Sequence, residues 1–202
     1  AAAPTRDRLP VLALLCANAV SLLGTQLSIL AIPWFVLQTT GSAAQTGLAG
    51  FFGLLPTLLG GVFGGPLVDR LGFRRASIVA DLGSGLCIAL VPLLHGTVGL
   101  APRQLLALVF LRGLIGTPGN IARQGLLPDL IARSDFGRER VNAAFQAIFN
   151  GATLFGAPLA GILIVALDPA TVLWLDAASY AASALIVALM VPRPAALVGP
   201  HA

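Results

Sequence analysis

The chain has 202 residues, 57% of them hydrophobic and only 10% charged, with a net charge of +4 and a mean hydropathy of +0.92. Ordinary soluble domains are about a quarter charged, so this composition excludes a water-soluble fold and points to a chain built for the bilayer. All twelve basic residues are arginines, set singly or in short loops between apolar runs, which excludes a basic nucleic-acid-binding face with interleaved aromatics.

Six apolar runs are long enough to span a membrane, which takes roughly 20 residues: 11–37, 45–68, 76–94, 104–126, 141–167 and 171–191. They predict an all-α membrane protein, residues 1–202 forming a single six-helix bundle. The first run exceeds the roughly 7–15 residues of a signal-peptide core. It carries Asn18, Ser21, Thr25 and Ser28 at spacings that share one helix face. Cys16 and Cys87 sit inside apolar runs as small hydrophobes and imply no disulfide framework.

The second run ends in "GGVFGG", where Gly60/Gly64 and Gly61/Gly65 have the small-xxx-small spacing of close helix contacts. After it comes "DRLGFRR", in which Gly72 can take a positive φ and reverse the chain. The third run holds Asp81, and Pro92 and His95 mark a turn at its far end. The fourth holds Arg112, Gly116, Asn120 and Arg123; the fifth holds Asn142, Gln146, Asn150 and Thr153. The sixth holds Asp176 between Trp174 and Tyr180, the pattern of an interfacial aromatic belt. His201 belongs to a polar, proline-bearing tail with no chemical role.

Three polar stripes facing one another line a water-filled path, with Asn18, Ser21, Thr25, Asn120, Gln146 and Asn150 as lining candidates. For the serines and threonines, hydrogen bonding between helices is an equal alternative. Arg112 lies near mid-membrane, where an arginine costs ~2.5–3.5 kcal/mol on insertion scales and must meet water or a partner. Asp81 is the expected partner, either as a coupling pair or as a structural staple, and Asp81 or Asp176 is a candidate proton carrier. Cytoplasmic loops collect arginine. With both termini inside, Arg6, Arg8, Arg70, Arg74, Arg75, Arg123, Arg133, Arg138, Arg140 and Arg193 are cytoplasmic, against Arg103 outside.

The stretch 65–75 resembles the loop signature between helices 2 and 3 of the major facilitator superfamily, G-x-L-x-D-R-x-G-x-R-R. Gly65, Leu67, Asp69, Arg70, Gly72, Arg74 and Arg75 match, and Phe73 stands where a basic residue is usual. The resemblance implies a cytoplasmic latch that opens when the transporter turns inward. Arg112 with Gly116 resembles the family's helix-4 pattern. In "GAPLAG", Pro158 and Gly161 match the helix-5 pattern of exporters, while Ala157 and Ile162 replace usual glycines. The connection with Pro128, Asp129, Asn142 and Ala143 is similar to that of the macrolide-efflux and siderophore-exporter branch.

What the family implies is the N-terminal half of a twelve-helix fold, built from 3+3 inverted repeats. The internal signal is slight: "GGPL" at 64–67 returns as "GAPL" at 156–159. The first residues, "AAAPTRD", lack a methionine. The expectation is therefore a half whose C-terminal six helices are absent, with pairing of two copies as the alternative. The implied function is alternating-access export of small apolar or amphipathic molecules such as drugs, macrolides or siderophores, driven by proton exchange, in the cytoplasmic membrane. The alternative is an uptake carrier or an uncoupled facilitator. Scattered carboxylates, with no Ser/His/Asp set, CxxC or HExxH, argue against an enzyme, and an inert scaffold is the remaining reading. No cofactor or metal is expected.

Overall fold

The computed structural model describes residues 8–192, with residues 61–63 described in backbone only. Arg6, Arg193 and His201 lie outside the described residues. Six helices follow in order: α1 (Leu9–Thr40), α2 (Ala43–Leu71), α3 (Phe73–Thr97), α4 (Pro102–Ala132), α5 (Arg138–Leu167) and α6 (Pro169–Met190). All six are long and apolar enough to cross a membrane.

Most of the helices overrun their apolar cores, because an α-helix keeps its own hydrogen bonds beyond the hydrocarbon. Two loop expectations change accordingly. Pro92 and His95 do not form a turn but lie inside α3, and α4 continues through Pro128 to Ala132. Proline within a membrane helix is tolerated where neighbouring groups satisfy the carbonyl it frees.

The "DRLGFRR" connection shrinks to one residue. Asp69 and Arg70 belong to the last turn of α2, Phe73 starts α3, and Gly72 alone joins them at φ 77° and ψ 144°. A Cβ there would meet nothing within 4 Å, so the backbone angle rather than crowding demands glycine.

The packing repeats itself. α1 packs on α6 and α5, α4 packs on α3 and α2, and α3 and α6 cross in the middle. Exchanging α1 with α4, α2 with α5 and α3 with α6 returns the same set of neighbours. An odd number of spans per repeat inverts the second one, as in a 3+3 inverted repeat.

Two apolar clusters fill opposite ends of the bundle. One holds Phe35, Val36, Ile88, Val109 and Leu173; the other holds Val11, Leu14, Leu126, Val141 and Val187. Between them the same helices carry a polar layer. Glycines set the spacing of α2 on α4: a Cβ on Gly60 would lie 2.5 Å from Thr117, and one on Gly64 would lie 2.8 Å from Ile121. A Cβ on Gly65, by contrast, would meet nothing within 4 Å among the described residues.

Candidate functional site: two buried ion pairs on a central cavity

The polar layer opens onto a cavity of about 310 Å³ lined by α1, α2, α3, α4 and α6. Ser21, Thr25, Ser28, Asp81, Arg112, Asn120, Arg123 and Tyr180 supply its polar wall; Ile29, Ile32, Leu54 and Val109 belong to its apolar wall. The contrast follows from helix periodicity. Ser21, Thr25 and Ser28 share a face of α1, and Arg112, Asn120 and Arg123 share a face of α4.

Arg112 donates to the Asp176 carboxylate at 3.3 Å and to the Tyr180 hydroxyl at 3.2 Å. Ser28 donates to the same carboxylate from α1. The guanidinium also lies 5.8 Å from the Tyr180 ring centre, within cation–π reach. Arg123 forms a second pair with Asp81, which also accepts from Ser183 at 2.8 Å. Arg123 donates further to Ser21 at 3.1 Å and Asn120 at 3.4 Å. Both aspartates are buried, at 2% exposure for Asp81 and 0% for Asp176. A desolvated charge persists only when paired and hydrogen-bonded, and these two are.

Three expectations are corrected. Arg112 pairs with Asp176, not Asp81. Asp176 is not interfacial: it faces the bundle, and Trp174, two residues earlier, points the other way and is 45% exposed. Arg123, placed on the helix-4 stripe and also counted with the cytoplasmic arginines, is at 2% exposure an interior residue. Antiparallel register carried the missed signal. α3 and α4 are consecutive, so an acid about two turns into α3 lies level with a base near the far end of α4.

The remaining candidates divide. Ser21, Thr25 and Asn120 line the cavity. Asn18 is buried beside the layer, its Nδ2 without a hydrogen-bond partner among the described residues, and is not part of the wall. Gln146 and Asn150 are exposed on α5 and bond to each other at 3.1 Å, outside the cavity wall, while Thr153 of the same stripe accepts from Gln26 of α1 at 3.1 Å. Asp69, Arg70 and Arg75 are exposed at the α2–α3 junction, and Asp69 takes part in no ion pair among the described residues. Arg74 is occupied otherwise: it donates to the Val191 carbonyl at 2.7 Å and the Ala188 carbonyl at 2.5 Å, closing the end of α6. Phe73, the departure from the motif, fits against Gly125, where a Cβ would lie 2.3 Å from its ring. Pro158 is exposed, and Gly161 faces open space.

Against known families, residues 14–201 match the model described as Major Facilitator Superfamily. The chain belongs to the major facilitator superfamily. Among curated relatives, this facilitator chain is 35% identical over 187 residues to the Multidrug efflux pump Tap of Mycobacterium tuberculosis, covering 91% of this chain and 45% of the relative. It is 32% identical over 184 residues to the Multidrug efflux pump Tap of Mycolicibacterium fortuitum, covering 90% and 45%. The Staphyloferrin A transporter of Staphylococcus aureus is 26% identical over 166 residues, covering 81% and 41%. The facilitator chain thus spans about half the length of the curated relatives it matches. No solved structure matches it significantly. Family and apolar helices together make it a multi-pass membrane protein.

Proposed function

We propose that the chain forms the N-terminal half of a proton-coupled exporter of small amphipathic molecules. The observation that carries this reading is the buried Asp176 paired with Arg112 of the cavity wall. An ion pair that is closed in one conformation and open in another exchanges a proton between the two. The half-apolar, half-polar wall suits an amphipathic substrate, and the relatives named as efflux pumps support export. Energy enters as binding that differs between states.

In this reading both termini are cytoplasmic and the α2–α3 junction is the inner gate. Asp69 and Arg70, exposed and aimed away from the bundle, latch onto a second six-helix half. That half covers the exposed face of α5, where Phe149, Leu154 and Phe155 stand beside Asn150 and Pro158; a second copy of the chain is the alternative occupant.

Ethidium efflux from cells expressing the protein from its native gene tests the reading. Efflux should stop on adding a proton uncoupler and should be lost in Arg112→Ala. Efflux that persists with the uncoupler indicates an uncoupled facilitator instead.

A further inference from the structure

Asp81 and Asp176 occupy equivalent places in the two repeats. Each lies about two turns from the start of its helix, α3 or α6, and each opens the sequence Asp-x-x-Ser, at 81–84 and 176–179. Inversion places them at mirrored depths. Their arginine partners stand on one face of α4, about 16 Å apart along the helix axis.

A continuous polar chain joins the two pairs. Arg112, bound to Asp176, donates to the Tyr180 hydroxyl at 3.2 Å. That hydroxyl meets Thr25 Oγ1 at 2.9 Å, and Thr25 donates to the Ser21 carbonyl at 2.8 Å. The Ser21 hydroxyl accepts from Arg123, which holds Asp81. Both grips cross the repeats: Asp81 on α3 of the first repeat is held by Arg123 of α4 and Ser183 of α6 in the second, and Asp176 on α6 of the second is held by Ser28 of α1 in the first as well as by Arg112 of its own repeat. Relative motion of the repeats therefore strains both grips together.

We propose that Asp81–Arg123 is a second switch pair beside Asp176–Arg112, its aspartate the repeat counterpart of Asp176, and that Tyr180, Thr25 and Ser21 bind the two into one cooperative unit with Tyr180 as its positioning residue. The inference rests on the exporter reading for its functional meaning, while the linkage itself is measurable without it. The charged and titratable groups that face the first pair are Arg112 on α4, Tyr180 on α6 and Cys87 on α3. Arg123 on α4 faces Asp81, with Ser21 of α1 and Ser183 of α6 completing its shell.

Sites this far apart with no shared partner act independently, and their effects multiply. The test is a cycle of Asp81→Asn and Asp176→Asn, singly and together, each with and without Tyr180→Phe, in the protein expressed from its native gene. Two readouts are taken: ethidium efflux driven by a pH gradient in proteoliposomes, and thermal unfolding of the purified protein. A linked unit predicts that each single change slows efflux about tenfold and the double change no further, whereas in Tyr180→Phe the two effects multiply. Tyr180→Phe keeps the ring on Arg112 and should displace the pH profile of efflux at unchanged yield of folded protein; an unmoved profile overturns its positioning role. Multiplicative effects with Tyr180 intact overturn the linkage. If Asp176→Asn alone leaves proton-driven efflux intact, the exporter reading fails, and the linkage stands or falls on the unfolding cycle. Should Asp81→Asn not assemble, Ser21→Ala takes its place, since it cuts the Arg123 end of the bridge without removing a charge; additivity with Asp176→Asn then counts against the proposal.

Discussion

Arg112 and Arg123 stand on one face of α4, and each holds a buried aspartate from a different helix: Asp176 of α6 for the first, Asp81 of α3 for the second. One helix thereby carries both cations of the polar layer and ties α3 and α6 to itself.

Removing one partner of such a pair leaves the other charged and buried. Arg112→Ala should cost about 3–5 kcal/mol of stability by exposing Asp176 to that penalty, whereas Arg112→Ala combined with Asp176→Asn should recover most of it. Thermal unfolding of the two variants checks this, and equal losses would show that the pair contributes nothing as a pair.

Gly72 sits in a backbone region that other residues enter only at a cost of about 1–3 kcal/mol. Gly72→Ala should lower the unfolding temperature accordingly, although the space for a methyl is free. Gly65→Ala should leave stability within about 0.5 kcal/mol, since a Cβ there would meet nothing within 4 Å among the described residues. If Gly65→Ala nevertheless slows efflux, the contact it disturbs lies on another body.

A methyl at Gly24 would lie 1.9 Å from the Ser179 hydroxyl and 2.5 Å from Asp176 Oδ1. Gly24→Ala should therefore push α1 off α6 at a cost of about 1–3 kcal/mol and loosen the Asp176 site. Lost pH dependence of efflux, measured beside unfolding, is the expected signature.

Asp168 caps α6: its carboxylate accepts from the Thr171 backbone N–H at 2.9 Å and the Thr171 hydroxyl at 2.9 Å. The backbone N–H bond holds its pKa below the ordinary carboxylate value. The cap's contribution is thus complete above the ordinary value and disappears as pH falls through the lowered one. Asp168→Ala should cost about 1 kcal/mol at neutral pH and flatten that acid dependence. Asp168→Gly should cost less, because glycine accepts the φ of 88° that Asp168 endures. Unfolding against pH measures both.

The exposed Asp69 leads to the opposite expectation for stability and function. Asp69→Asn should leave unfolding unchanged within about 0.5 kcal/mol yet slow efflux, since the contact it breaks is made only in the assembled transporter. Unchanged efflux would remove the latch.

Spans were legible because length and apolarity are local properties, and six runs gave six helices. The positive φ of Gly72 was legible too, since a chain reversal between adjacent runs leaves few other residues. Pairing across helices was not, because a run's ends fix depth only to within a turn or two and an arginine side chain reaches about that far. Asp176 misled for a different reason: Trp174 and Tyr180 suggested a belt, although Tyr180, four residues on, shares the buried face of Asp176 while Trp174 does not. The recurring Asp-x-x-Ser spacing was visible in the letters and was a better sign of the repeat than "GGPL" and "GAPL".

With Gly72 as the whole connection between α2 and α3, the two helices meet without slack. Gly72 is the pivot between α2 and α3, and Asp81 lies about 12 Å further along α3. The shortest covalent route from the surface at Asp69 to that carboxylate in the middle of the bundle therefore has one joint, and the joint is a glycine.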